Sequence, residues 1–181
     1  MTRGELRRFL SGIERSVHPL ARRDHALFST LAYTGVRLSE ITRSVWGDLD
    51  LRHRRLLLPS VKGGRAETRH VSRRLLQILA DYSLRVRNGV RAGLLPMFAS
   101  SGYRPLSPRG VQYRFGFWLT RSGIRRRLSV HSLRHTFATL LYRATRDLLL
   151  VSRALGHRDV RTTQRYAHVE DRLLVSAVNR L

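Results

Sequence analysis

Strand-type alternation is confined to one short window of this chain, and helical periodicity occupies most of the sequence on either side of it. Arg54 to Leu58 reads as a strand, Ser60 to Lys62 as another, Gly63-Gly64 as a turn, and Thr68 to Val71 as the return. The expected fold is therefore mainly α with a small antiparallel three-stranded β-sheet (α+β). Ahead of the window, Leu6, Phe9, Leu10 and Ile13 recur on one face of a helix from Gly4 to Arg15. A second helix follows Pro19, placed as an early helical residue, and runs to Tyr33 before Gly35 stops it. Ser39 to Arg43 adds a short turn of helix. Beyond the window, helices are expected at Arg73 to Arg87, Arg109 to Arg121, His131 to Arg143, Asp147 to Leu155, Val160 to Tyr166 and Asp171 to Leu181. The Gly- and Pro-rich stretch Asn88 to Gly110 reads as a loop inside the domain, with Leu94, Leu95, Met97 and Phe98 available to pack. No internal repeat divides the 181 residues, which suit one compact domain with a core of its own.

Charge narrows the partner. Thirty-five Lys and Arg oppose 12 Asp and Glu, a formal net charge of +23. A compact domain with that surplus repels itself unless a polyanion is near, which makes nucleic acid the leading partner and an acidic membrane surface the second. Codon bias accounts for arginine over lysine but not for the shortage of acids. Cysteine is absent, excluding disulfides, thiolate zinc sites and thiol nucleophiles. No apolar run reaches the ~18 residues of a membrane span, and the N-terminus lacks the apolar core of a secretory signal. A cytoplasmic, nucleoid-associated location is expected. Lys62 is the single lysine in the chain.

Three segments carry residues suited to chemistry. In His131-Ser-Leu-Arg134-His135 the helical spacing puts His131, Arg134 and His135 on one face. The two histidines have the spacing of a zinc hydrolase, but Ser132 stands where the essential Glu belongs and Arg134 would set a cation beside the metal. His131 and Arg134 suit an oxyanion, a guanidinium giving two parallel donors and the imidazole a third. His135, followed by Thr136, Phe137 and Ala138, is expected in the core. In Tyr33-Thr-Gly-Val-Arg37-Leu-Ser-Glu40 the glycine lets Arg37 project from a turn while Glu40 reaches back to brace it. In the third segment, Gly156 sets His157 on a tight turn, and Tyr166 follows on or after a short helix. Each element alone has an ordinary explanation as a surface turn, a core edge or a solvated charge.

Taken in order, TGVRLSE, VKGG, LPMFASSGYRPLSPRGV, HSLRHTFAT and ALGHRDVRTTQRYAHV resemble the tyrosine recombinases, the phage integrase family, from about Met1 to Leu181. The resemblance implies the tyrosine-recombinase catalytic-domain fold. It carries the first and second catalytic arginines onto Arg37 and Arg134, the first His/Lys position onto His131 and the His/Trp position onto His157. Tyr166 falls at the nucleophile, Lys62 at the lysine of the β-turn, and Glu40 at an acidic supporting position. A lysine there has a physical reading, because a leaving 5′ oxygen needs a proton, which lysine can release and arginine, with a pKa above ~12, practically cannot.

What the resemblance implies is a site-specific recombinase that cleaves and rejoins double-stranded DNA through a 3′-phosphotyrosyl intermediate. It needs no metal, no ATP and no other cofactor. Arg65, Arg125, Arg126 and Arg127 are expected to contact DNA. Members act as a tetramer on DNA, and Glu170 to Leu181 is the candidate segment for exchange between protomers, or for packing in cis. The expected domain organisation is a single catalytic domain over residues 1–181, without the N-terminal core-binding domain that most members carry. Competing readings are a type IB topoisomerase-like enzyme and a catalytically silent DNA-binding module of the same fold. Tyr142 is the fallback nucleophile.

Overall fold

A computed structural model of the chain describes residues 1–58, 67–84 and 92–156. The chain divides into two compact units, Met1–Phe137 and Ala138–Leu181. In the first unit, α1 (Arg3–Glu14) begins at a reciprocal cap. Thr2 Oγ1 accepts from the Glu5 amide at 3.1 Å, and the Thr2 amide donates to Glu5 Oε2 at 2.6 Å. The four apolar residues of its expected stripe are its buried residues. The second helix, α2 (Ala21–Thr34), ends at Gly35, whose φ of 64° is the left-handed cap that only glycine adopts readily. Pro19 lies in the turn before α2 rather than inside it, and Leu20 occupies the N-cap.

The single turn α3 (Leu38–Ile41) follows, then a three-stranded antiparallel sheet in the order β1 (Leu49–Asp50), β2 (Arg55–Leu58), β3 (Glu67–His70). The sheet has the expected size but not the expected membership. Its first strand is Leu49–Asp50, pairing Leu49 with Leu56 and Asp50 with Arg55. Two residues are too few to display alternation, so sequence pattern does not reveal it. Ser60 to Gly64 lies outside the described residues, while the strands that bracket it pair directly, Leu58 opposite Glu67 and Leu56 opposite Arg69. Leu56, Leu58 and Arg69 are buried, whereas Arg55, Leu57, Thr68 and His70 face solvent.

Helix α4 (Arg73–Ser83) is capped by Ser72 and buries Leu75, Leu79 and Tyr82. The stretch from Ala92 to Ser107 is irregular but anchored: Met97 N donates to Ser44 O at 2.8 Å and Trp46 N to Leu95 O at 3.0 Å. Met97 and Phe98 are buried there as expected, but Leu94 is exposed. Helix α5 (Pro108–Arg121) opens on Ser107 as N-cap with proline in its first turn. Two aromatic clusters fill the core of this unit, Phe9–Phe28–Phe115 with centroids 5.1 to 5.8 Å apart, and Trp46–Tyr82–Phe98. α6 (His131–Thr145) begins in the first unit. In the second unit, α7 (Leu148–Leu155) is capped by Asp147, whose carboxylate accepts from Leu150 N at 2.9 Å, and ends at left-handed Gly156. The two last expected helices lie outside the described residues. No helix among the described residues is long and apolar enough to cross a membrane.

A buried charge cluster ties α2 to α5. Asp24 is fully buried. Its Oδ1 accepts from Arg23 Nε and Nη2 at 3.0 and 2.8 Å, and its Oδ2 from Arg114 Nε at 2.6 Å and Trp118 Nε1 at 2.7 Å. Removing one partner of such a buried pair typically destabilises by about 3–5 kcal/mol, because the remaining charges lose compensation. Asp24→Ala is expected to lose about that much in urea unfolding. A second expectation concerns acid. The Thr2 amide, donating to Glu5, holds that carboxyl below its ordinary 4.5. A lowered folded-state pKa gives stability that is complete above 4.5 and lost as pH falls through the folded value. Thermal melts between neutral and acid pH should therefore fall less steeply for Glu5→Gln than for the parent chain.

Candidate active site

Two guanidiniums far apart in sequence converge on one pocket of about 370 Å³, lined among others by Val36, Arg37, Gln112, Ser129, His131 and Arg134. All of these residues belong to the first unit. Arg37 is delivered by the exit from α2, since the glycine cap reverses the chain and Arg37 becomes the N-cap of α3. Glu40 then clamps it twice. Its Oε2 accepts from the Arg37 amide at 2.7 Å and its Oε1 from Arg37 Nη1 at 2.8 Å. The expected brace is present and binds main chain as well as side chain. Arg37 remains 44% exposed at its side chain and Glu40 only 12%, so the acid is spent inward while the guanidinium keeps donors toward the pocket.

Arg134 is built differently. It is buried on the first turn of α6, and its Nη1 donates to the carbonyl of Gly35. A left-handed helix cap and a buried guanidinium are thus joined by one hydrogen bond. His131, the first residue of α6, is exposed at the pocket. His135 is half-buried rather than in the core, and its ring stands edge-on to His131 with centroids 4.5 Å apart. The reason is helical spacing, which stacks i and i+4 on the same face. Thr136 takes the inward direction instead, donating to Ser132 O at 2.7 Å and to Met1 O at 3.1 Å. Among the described residues no three His, Asp or Glu side chains are gathered to hold a metal ion.

Leu31, Val36, Leu38, Pro108 and Val130 surround this polar set. Apolar walls exclude water and strengthen each donor's hold on a bound anion. Two arginines and an imidazole facing one space, with the pocket's nearby carboxylate engaged by Arg37, make a receptor for a tetrahedral oxyanion. Gln112 and Ser129 also line the pocket and were not singled out from sequence. Ser107-Pro108 marks the start of α5 and hence places Gln112 one turn on, but nothing in the pattern says which space that turn faces. Arg125, Arg126 and Arg127 are exposed before α6, and Arg126 pairs with Glu5 at 3.3 Å. Lys62, Arg65, His157 and Tyr166 lie outside the described residues.

The chain matches the model of the phage integrase family over residues 1–172. It is 34% identical over 160 residues to tyrosine recombinase XerC of Actinobacillus succinogenes, covering 86% of this chain and 52% of that protein. To XerC of Caldanaerobacter subterraneus it is 31% identical, covering 99% of this chain and 50% of the relative. The chain therefore spans about half the length of these curated relatives. Its fold superposes on the crystal structure of XerA recombinase with a TM-score of 0.84 at 26% identity, over 99% of this chain and 62% of that one. XerH recombinase bound to its palindromic difH substrate gives 0.82 at 26% identity, over 98% of this chain and 52% of that one.

The clamp on Arg37 makes a measurable demand on the pocket. Orthovanadate, a tetrahedral and five-coordinate phosphate mimic, should bind here. Glu40→Ala should weaken that binding about tenfold, the equivalent of about 1.4 kcal/mol, by releasing Arg37 from its fixed direction. Titration followed by isothermal calorimetry reads the change directly, and unchanged affinity would mean that Glu40 serves α3 alone.

Proposed function

The chain belongs to the phage integrase family, and from that premise we propose that it is a site-specific recombinase that cuts and rejoins double-stranded DNA. The observation that carries the proposal is the convergence of Arg37 and Arg134 with His131 on one pocket. It is the receptor that a scissile phosphate requires. In this reading Tyr166 Oη attacks phosphorus, forming a 3′-phosphotyrosyl bond as the bond to the 5′ oxygen breaks. Arg37 and Arg134 hold the non-bridging oxygens throughout, so charge developing on them meets donors already in place. His131 contributes a further donor or, when neutral, accepts the phenolic proton. His157 completes the ring of donors, and Lys62 passes a proton to the departing 5′ oxygen.

The phosphotyrosine conserves the energy of the broken diester, and a 5′-hydroxyl from another strand reverses the step. No ATP and no metal enter this sequence of bonds. Arg65, Arg125 and Arg127 are assigned to the flanking DNA backbone, with Arg126 available once it leaves Glu5. Four protomers on two duplexes form the working assembly, with Glu170 to Leu181 as the exchanged segment. A DNA substrate places the protein at the nucleoid.

A nicked suicide duplex tests the chemistry, because loss of the short fragment removes the 5′-hydroxyl and traps the covalent intermediate. A library of such duplexes, in EDTA, should give a denaturant-resistant adduct that Tyr166→Phe abolishes while DNA binding survives. Arg134→Lys should slow adduct formation by roughly 10²–10³, the usual loss for one preorganised donor to a developing oxyanion. An adduct that persists in Tyr166→Phe would move the nucleophile elsewhere, Tyr142 first. Binding without any adduct would leave only a DNA-binding module.

A further inference from the structure

A second concavity, of about 560 Å³, lies between α1, α2 and α4 and shares no lining residue with the pocket of Arg37 and Arg134. Its volume falls within the ~300–1,000 Å³ of small-ligand sites. Arg3 and Arg7, one helical turn apart on α1, and Arg74 on α4 are exposed around it. Among the described residues none of the three lies within ion-pair distance of a carboxylate, while Arg23, Arg37, Arg69, Arg114 and Arg126 all do. Like charges at i and i+4 oppose helix formation, and a third across a groove adds to the repulsion. Glu14 is the one carboxylate in the lining.

Beneath the arginines the wall changes character. Leu6 and Leu10 lie at the base of the groove, 5% exposed each, with half-buried Tyr33 and His25 beside them. Burial holds His25 below its ordinary 6.5, with Glu14 pulling it up and Arg74 pushing it down. Gly4 also lines the groove, and it is an odd residue for the first turn of a helix. A Cβ at this position would meet only Thr2 Oγ1, at 4.0 Å. Packing therefore does not demand glycine at position 4.

We propose that this groove binds a nucleotide, with phosphate oxygens on Arg3, Arg7 and Arg74 and the base on the apolar floor. Three cations beside the Tyr33 ring and the edges of Leu6 and Leu10 match a ligand that is anionic at one end and aromatic at the other. A free mononucleotide and one nucleotide of a single strand present the same chemistry. The proposal stands independently of the recombinase reading.

The test is an amide-resolved NMR titration of the full chain with AMP, adenosine, inorganic phosphate and a short oligothymidylate. AMP should saturate with shifts centred on Leu6, Leu10 and Tyr33, whereas adenosine and phosphate bind at least about tenfold more weakly. Arg3→Gln/Arg7→Gln/Arg74→Gln should weaken AMP by about tenfold or more. Gly4→Leu, which keeps every charge and favours the helix, should do the same without lowering the melting temperature. Shifts from the oligothymidylate on the same amides identify single-stranded DNA as the source, and shifts from AMP alone identify the free nucleotide. Phosphate binding as tightly as AMP, non-saturating shifts scattered over surface arginines, or unchanged affinity in both variants would each overturn the proposal.

Discussion

Asp24 sits on α2 with no solvent contact, and both of its oxygens are taken up by groups that hold other parts of the first unit in place. Arg114 and Trp118 bring α5 to it, and Arg23 extends from it to the carbonyl of Ala99 at 3.0 Å, fastening the irregular stretch before α5. The Arg114 guanidinium also lies over Phe117, 4.5 Å from the ring centroid. A carboxylate in this position would be prohibitive alone. With two guanidiniums and an indole it becomes a constraint on register, since no one-residue slide of α5 along α2 preserves all the donors. The consequence reaches the candidate active site, because the C-terminal end of α2 and the N-terminal end of α5 both form its walls. Eleven residues of helix, about 16 Å, separate Asp24 from Gly35. The bond therefore ties together two of the helices that supply the pocket's walls.

A chain with 35 basic residues gives arginine more than one task, and burial separates them. Arg114 and Arg134 are buried with defined acceptors, the first structural and the second at the pocket. Arg37 is half-exposed and clamped by an acid that is itself nearly covered. A clamped guanidinium loses little rotational freedom when an anion arrives, so more of its interaction is available to the reacting state. Arg125 and Arg127, exposed and outside any ion pair among the described residues, have no such preparation and suit a diffuse polyanion.

Much of this was legible in the sequence where local chemistry decides the structure. The stripe on α1, the stop at Gly35, the brace between Arg37 and Glu40, and the strand character of β2 and β3 all follow from periodicity, glycine and charge spacing, but the direct pairing of those two strands does not. Features that depend on distant segments were not legible. Asp24 reads as an ordinary acid in the first turn of a helix, and only the arrival of Arg114, 90 residues on, makes it a buried node. Leu49–Asp50 becomes a strand because β2 offers it an edge, not because it alternates. Leu94 resembles Met97 in hydropathy yet stays exposed, since the hydrogen bonds near Ser44 and Trp46 fix which side of that stretch turns inward. Ser129 and Gln112 face the pocket for the same kind of reason, the packing of α5 and α6 against α2.

Gly35 shows how a single backbone position can serve both halves of an anion receptor. Its left-handed conformation ends α2, and that reversal is what carries Arg37 outward two residues later. The same reversal frees its carbonyl from the helical ladder, and that carbonyl accepts from the buried Arg134. Helix ends leave carbonyls unsatisfied, and a buried guanidinium needs acceptors, so each removes the other's penalty. The two guanidiniums are consequently not independent side chains that happen to meet. One is aimed by the turn and the other is anchored to it, so any displacement of the turn moves both. A substituent at Gly35 would strain φ and shift the carbonyl together. The loss would fall on the pair rather than on either arginine, which is the behaviour expected if both hold one phosphate in the proposed reaction.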